Sequence, residues 1–191
     1  MRWAIDLSCH WWVLRAARQN ADGVADVNLQ RTMRIPAEQA AQTLGELLQA
    51  IAEQTGPWRG FALHVSLGDL RLPDVGYVAV PIRLIVRKNP QTPRAYGLTF
   101  NSMNLPAAFP GFSGEMGVDP AGLGECQLYL RGKYELPMHV FGKLIDSALT
   151  PRVAERSLDN FIEEIAAACE ASVNKREADY ARYRFYAHKL Q

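Results

Sequence analysis

Where the run ECQLYLRGKYELPMHVFGKLID passes from strict alternation through a proline into a helical pattern, Tyr134, His139 and Asp146 stand close together. As a set they would suit acid/base work, because an imidazole titrates near neutrality and a phenol can donate a hydrogen bond to a reacting oxygen. The same residues also read as plain structure, with Tyr134 a core aromatic, His139 a helix-start residue in solvent and Asp146 off the apolar stripe. The structural reading carries more weight, because standard catalytic signatures are absent. GFSGE lacks the spacing of a nucleophile elbow. AGLGEC has no third glycine, and FGKLID has no phosphate loop before it.

Two further groups bear on chemistry. In ADVNLQRTMRI, alternation puts Arg31 on the same face as Ala25, Val27, Leu29, Met33 and Ile35. A guanidinium among apolar side chains needs a partner. That partner is either a ligand's carboxylate or phosphate in a cavity, or a carboxylate of the chain itself; solvent reached by snorkelling is the third option. The tail KREADYARYRFYAHKLQ interleaves Arg and Lys with Tyr and Phe. Such a pattern can stack on single-stranded nucleic acid, but it fits a helix extension with one apolar side at least as well.

Composition narrows the field. The chain has 191 residues, 48% hydrophobic and 21% charged, with a net charge of +1. One domain with a substantial core fits this length, and no global field calls for nucleic acid or an anionic membrane. Cys9, Cys126 and Cys169 are scattered, and the four histidines show no metal spacing. Neither a disulfide framework nor a metal or other cofactor is expected, and a cytoplasmic setting is the default. Asp6 and His10 spoil a signal peptide, and no apolar run is long enough for a membrane span. Arginine outnumbers lysine, a bias of GC-rich bacterial genomes.

The elements that must position these residues are legible from periodicity. Cys126, Leu128, Leu130, Gly132, Tyr134 and Leu136 share one face of a strand whose other face is polar. YVAVPIRLIV alternates likewise, with Pro81 marking an edge or bulge. FALHVSLGDLRL slips phase after Gly68, and shorter strands are expected over 95–104 and 112–119. ADVNLQRTMRI is a strand, as is WAIDLSCHWWV upstream, the two joined by the turn QNADG. A helix opens at Pro36 with the stripe Ala40, Leu44, Leu47, Leu48 and Ile51 and closes at Gly56. A second runs from about 139 to 173 or beyond, with a kink or a fresh start at Pro151. The order predicts an α+β fold in which an antiparallel sheet grips a C-terminal helix.

The stretch FPGFSGEMGVDPAGLGECQLYLRGKYELPMHVFGKLIDSALTPRVAERSLDNF resembles the C-terminal half of START-like (SRPBCC, helix-grip) domains. The likeness rests on Phe109-Pro110 before a short strand, Gly132 and Tyr134 ending the last strand, Pro137, and Gly142 with Asp146 at the helix start. It covers about residues 76–170, and Met138 and Val140 depart from it. It implies a curved antiparallel sheet of six to seven strands wrapped around a long C-terminal helix. The domain would occupy residues 1–173, with an added strand at 3–14 and a helical extension or tail at 174–191. Gly132 and Gly142 would then let strand and helix backbones approach, unless Gly132 marks a bulge.

A START-like fold implies a hollow between sheet and helix that takes a hydrophobic guest. A dry hollow of about 400 Å³ would cost on the order of 10 kcal/mol, comparable to the whole stability of a domain, so it must hold ligand or water or be closed by bulky side chains. Arg31, Leu84, Phe100, Met103 and Phe109 are candidates to line or fill it. So are Phe112, Met116, Tyr134, Phe141 and Leu144. The leading expectation is binding of a hydrophobic small molecule or lipid. An enzyme of the polyketide cyclase/dehydratase kind, using Tyr134, His139 or Arg31, is one alternative. A pocketless interaction module, dimerising through the N-terminal strand or the tail, is the other.

Overall fold

A computed structural model of the chain describes residues 24–53, 62–66, 77–103, 111–135 and 149–189. In chain order the elements are β1 (Val24–Met33), α1 (Ala37–Glu53), β2 (Ala62–Ser66), β3 (Tyr77–Lys88), β4 (Ala95–Ser102), β5 (Gly111–Gly122), β6 (Glu125–Glu135) and α2 (Leu149–Lys189). The strands form one antiparallel sheet in the order β1-β6-β5-β4-β3-β2. Six strands meet the expected count, and the sheet with a long C-terminal helix is the helix-grip architecture. The strand expected over 3–14 lies outside the described residues.

Alternation decides which face is buried. In β1, Ala25, Val27 and Met33 are buried while Asp26, Asn28, Gln30 and Thr32 are exposed. In β6, Cys126, Leu128, Leu130 and Tyr134 point inward. Tyr129 is buried on the opposite face, where Arg131 lies 4.3 Å above its ring. Antiparallel pairing of β1 with β6 joins the two apolar faces, for instance Leu29 with Leu130 and Met33 with Cys126. Because β1 and β2 occupy opposite edges of the sheet, the segment between them, including α1, must cross it.

α1 starts behind Pro36, whose carbonyl accepts the first helical hydrogen bond from the Ala40 N–H at 2.9 Å. It buries Ala40, Ala41, Thr43, Leu44 and Leu48. α2 packs against α1, β1, β2 and β6. Its buried stripe is Leu158, Phe161, Ile162, Ile165, Ala166, Cys169 and Val173. Pro151 lies two residues after the first described residue of α2, and the stretch that would distinguish a kink from a fresh start, 136–148, lies outside the described residues. The helix has 41 residues, about 60 Å in length at the standard rise. The helix runs past Val173 to Lys189, as the expected reach of 173 or beyond allowed.

Two irregularities locate loops. β3 pairs with β2 through its first five residues and with β4 thereafter, and the change comes directly after Pro81. Lacking an N–H, Pro81 still accepts a hydrogen bond from the Met103 N–H at 2.9 Å. The glycines of AGLGEC form the β5–β6 hairpin, in which Gly124 has φ +77° and Leu123 is fully exposed. That backbone conformation is the reason for glycine there.

Candidate functional site

Strand register gathers the expected site residues into one row. Leu84 of β3 pairs with Phe100 of β4, Phe100 with Phe112 of β5, Phe112 with Tyr134 of β6, and Tyr134 with Ala25 of β1. All five are buried on the face that α2 covers. The rings of Phe100 and Phe112 are stacked, with centroids 5.0 Å apart and planes 18° apart. Phe161 of α2 meets Phe100 edge-on at 5.9 Å and 61°. Both arrangements are favoured by the ring quadrupole and add to area burial. Met116, one of the candidates, is fully buried two rows further along, paired with Leu130.

The neighbouring row explains Gly132. It pairs with Gly114, so two glycines face inward side by side, and Phe112 lies over both. A Cβ on Gly132 would sit 2.9 Å from Phe112 Cζ, 2.5 Å from the Ser113 carbonyl oxygen and 2.6 Å from Gly114 Cα. The expected close approach at Gly132 is real, but what takes the space is a ring from the adjacent strand rather than the helix. The ladder runs on without a bulge at that position. Gly142 lies outside the described residues.

Tyr134 is the polar member of the row. Its side chain is 1% exposed, and its hydroxyl has no hydrogen-bond partner among the described residues. Burial pushes the phenol up to about 12, with Glu155 of α2 acting in the same direction. It therefore stays protonated at neutral pH and is a donor without an acceptor among the described residues. Leaving a buried hydroxyl unsatisfied costs roughly 1–3 kcal/mol. Thr43 Oγ1 on α1 is the other such atom among the described residues.

Arg31 does lie on the inward face, opposite Leu128. Its Nη2 donates to Asp159 Oδ1 of α2 at 2.6 Å, and Nη1 donates to the Gln30 carbonyl at 3.0 Å. The Arg31 and Asp159 side chains are each about a quarter exposed. Of the partners expected for this guanidinium, the chain's own carboxylate is the one found. Met103 is 36% exposed just after β4, at the rim rather than in the row. Phe109, Phe141, Leu144, His139 and Asp146 lie outside the described residues.

Sequence periodicity placed Phe161 in a stripe without assigning it to the site, and it overlooked Glu155. The signal for Phe161 was its size within the stripe; Glu155 gave none, because its relation to Tyr134 is set by packing. At the other end of the interface, Cys126 and Cys169 are fully buried. Burial, helped by Glu170, raises the Cys126 thiol to about 11, and burial, helped by Cys126 and then Glu170, raises the Cys169 thiol to about 12. Such thiols are poor nucleophiles and poor metal ligands. Among the described residues no cluster of three or more His, Cys, Asp or Glu could hold a metal.

No protein-family model matches the chain, and no curated protein matches it. Solved structures do. A START superfamily protein from Mycobacterium smegmatis aligns with TM-score 0.43 and 13% identity, over 78% of this chain and 97% of that one. The Zhui aromatase/cyclase from Streptomyces sp. R1128 aligns with TM-score 0.45 and 17% identity, over 78% and 91%. Norcoclaurine synthase from Thalictrum flavum aligns with TM-score 0.43 and 10% identity, over 91% and 98%. Strand order, edge positions of β1 and β2, and the long terminal helix define a helix-grip fold. Among the described residues, no helix is long and apolar enough to cross a membrane.

Proposed function

We propose that the chain binds a hydrophobic small molecule or lipid at the Tyr134 end of the interface between sheet and α2. One observation carries this reading: a fully buried phenol, in one row with Leu84, Phe100 and Phe112, has no acceptor among the described residues. Native cores rarely retain such a group, and a guest with an acceptor would satisfy it. The proposed site also takes in Met116, and Arg31 contributes by anchoring α2 through Asp159. No cofactor is required by this reading, and the setting is cytoplasmic.

Native mass spectrometry of the protein as purified tests it. A ligand-sized excess that vanishes on denaturation is expected. A bare mass, both as purified and after incubation with a total lipid extract, would defeat the proposal.

A second reading has its own observation. Phe112 covers the Gly114–Gly132 pair, and Met33, Met116, Cys126 and Cys169 are completely buried, so bulky and sulfur-bearing side chains occupy much of the described interface. That favours a pocketless interaction module. A concentration-dependent mass in sedimentation that disappears on deleting 174–191 is its signature. The acid/base alternative is narrower: a phenol at about 12 can polarise a carbonyl as a donor but is not a base at neutral pH.

A further inference from the structure

The groups around Tyr134 restrict the polar end of any guest bound there. The phenol is a neutral donor, so the atom that satisfies it must be an acceptor. It sits in a row whose other members are Leu84, Phe100, Phe112 and Ala25, none of which offers a side-chain donor. An anion brought there would lose its hydration for a single neutral hydrogen bond, and burying an uncompensated charge is far costlier than burying a polar group.

The charges that α2 presents to this side of the sheet point the same way. Glu155 lies near enough to Tyr134 to act on its hydroxyl electrostatically. One turn on, Asp159 bonds Arg31 at 2.6 Å, which commits that guanidinium to a carboxylate of the chain. Breaking the pair to serve a ligand anion would leave Asp159 without its cation.

Resting on the ligand-binding reading, we infer that the guest meets Tyr134 with an uncharged acceptor, a ketone, ester or amide carbonyl on an otherwise apolar molecule, and that carboxylates and phosphates are excluded from this end. A free acid and its ester are thereby separated: the ester binds, the acid does not. The hydroxyl acts as a specificity-determining group rather than as a source of overall affinity.

Three probes of one shape test this by calorimetry: 2-ethylnaphthalene, 2-acetylnaphthalene and 2-naphthoate. The acetyl compound is expected to bind about tenfold more tightly than the ethyl compound, the worth of one satisfied hydrogen bond. The naphthoate is expected to bind more weakly than either. Tyr134→Phe should abolish the acetyl advantage, bringing the acetyl and ethyl compounds to equal affinity. Naphthoate binding as tightly as the acetyl compound overturns the inference. So does an acetyl advantage that is missing in the parent protein or that survives Tyr134→Phe, and either result leaves the ligand-binding reading standing if the ethyl compound binds. Failure of all three probes to bind overturns the inference, while the ligand-binding reading stands or falls with the native mass.

Discussion

At one end of the sheet–helix interface, Met33 faces Cys126 across β1 and β6, and Cys169 closes the row from α2, all three without exposure. At the other end, Tyr134 stands beside Phe112 in a row that runs on to Phe100, which Phe161 meets edge-on, and its hydroxyl has no partner among the described residues. Both ends are equally buried, yet only one is chemically complete. Aliphatic and sulfur-bearing groups can be packed to satisfaction by shape alone. A phenol in the same setting needs a directional partner, so burial without one marks a position whose residue type packing by itself does not explain. Depth of burial is thus a poor guide to function in this protein, and an unmatched hydrogen-bonding capacity is a better one.

Several substitutions would break or sharpen this contrast. The largest effect is expected from Gly114→Ala beneath Phe112. The new Cβ would stand 2.6 Å from the Gly132 Cα of the next strand, which is backbone and cannot swing aside. A loss of about 3 kcal/mol in urea denaturation is expected, by overpacking. A loss below about 1 kcal/mol would mean that the glycine pair is not a tight contact.

Alkaline pH should act on the thiol end. The thiols ordinarily ionise at 9.0, and in the fold only at about 11 and about 12. Between those values the unfolded chain has lost protons that the native state keeps, so stability is intact below about pH 9 and falls as pH rises towards 11–12. The Tyr134 phenol adds to the same trend above 10.0, its ordinary value. About 2 kcal/mol should be lost between pH 8 and pH 10, and Cys126→Ala with Cys169→Ala should flatten that slope. An unchanged slope in the double variant would refute the assignment.

Tyr134→Phe should have the opposite sign. Removing a donor that has no acceptor is expected to raise stability in the ligand-free protein by about 1 kcal/mol, read as an increase in Tm. A fall in Tm would show that the hydroxyl is already bonded within the chain. The smallest effect belongs to Asp159→Asn, which weakens a partly exposed pair between α2 and β1. About 0.5 kcal/mol is expected, and a cycle with Arg31→Met should isolate it. Coupling indistinguishable from zero would mean that the pair does not hold the helix.

Local order was legible because it is written in short periods. Alternation in 24–33, 77–86 and 125–135 located β1, β3 and β6, and the 3.6-residue stripes located α1 and the buried side of α2. Arg31 could be assigned to the inward face for the same reason. Its partner could not be identified, since Asp159 is 128 residues away. Gly132 was recognisable as a position needing space, but the occupant of that space belongs to β5.

What the amino-acid order settled alone is therefore which residues face inward on each element and that the elements make a sheet followed by a long helix. Only the tertiary structure decided that Leu84, Phe100, Phe112 and Tyr134 share one row, that Phe112 rests on two glycines, and that the Tyr134 hydroxyl is left unmatched. The reason is physical. Facing is set by backbone geometry within a few residues, whereas register and hydrogen-bond matching depend on how separate strands and a helix slide into a common packing minimum.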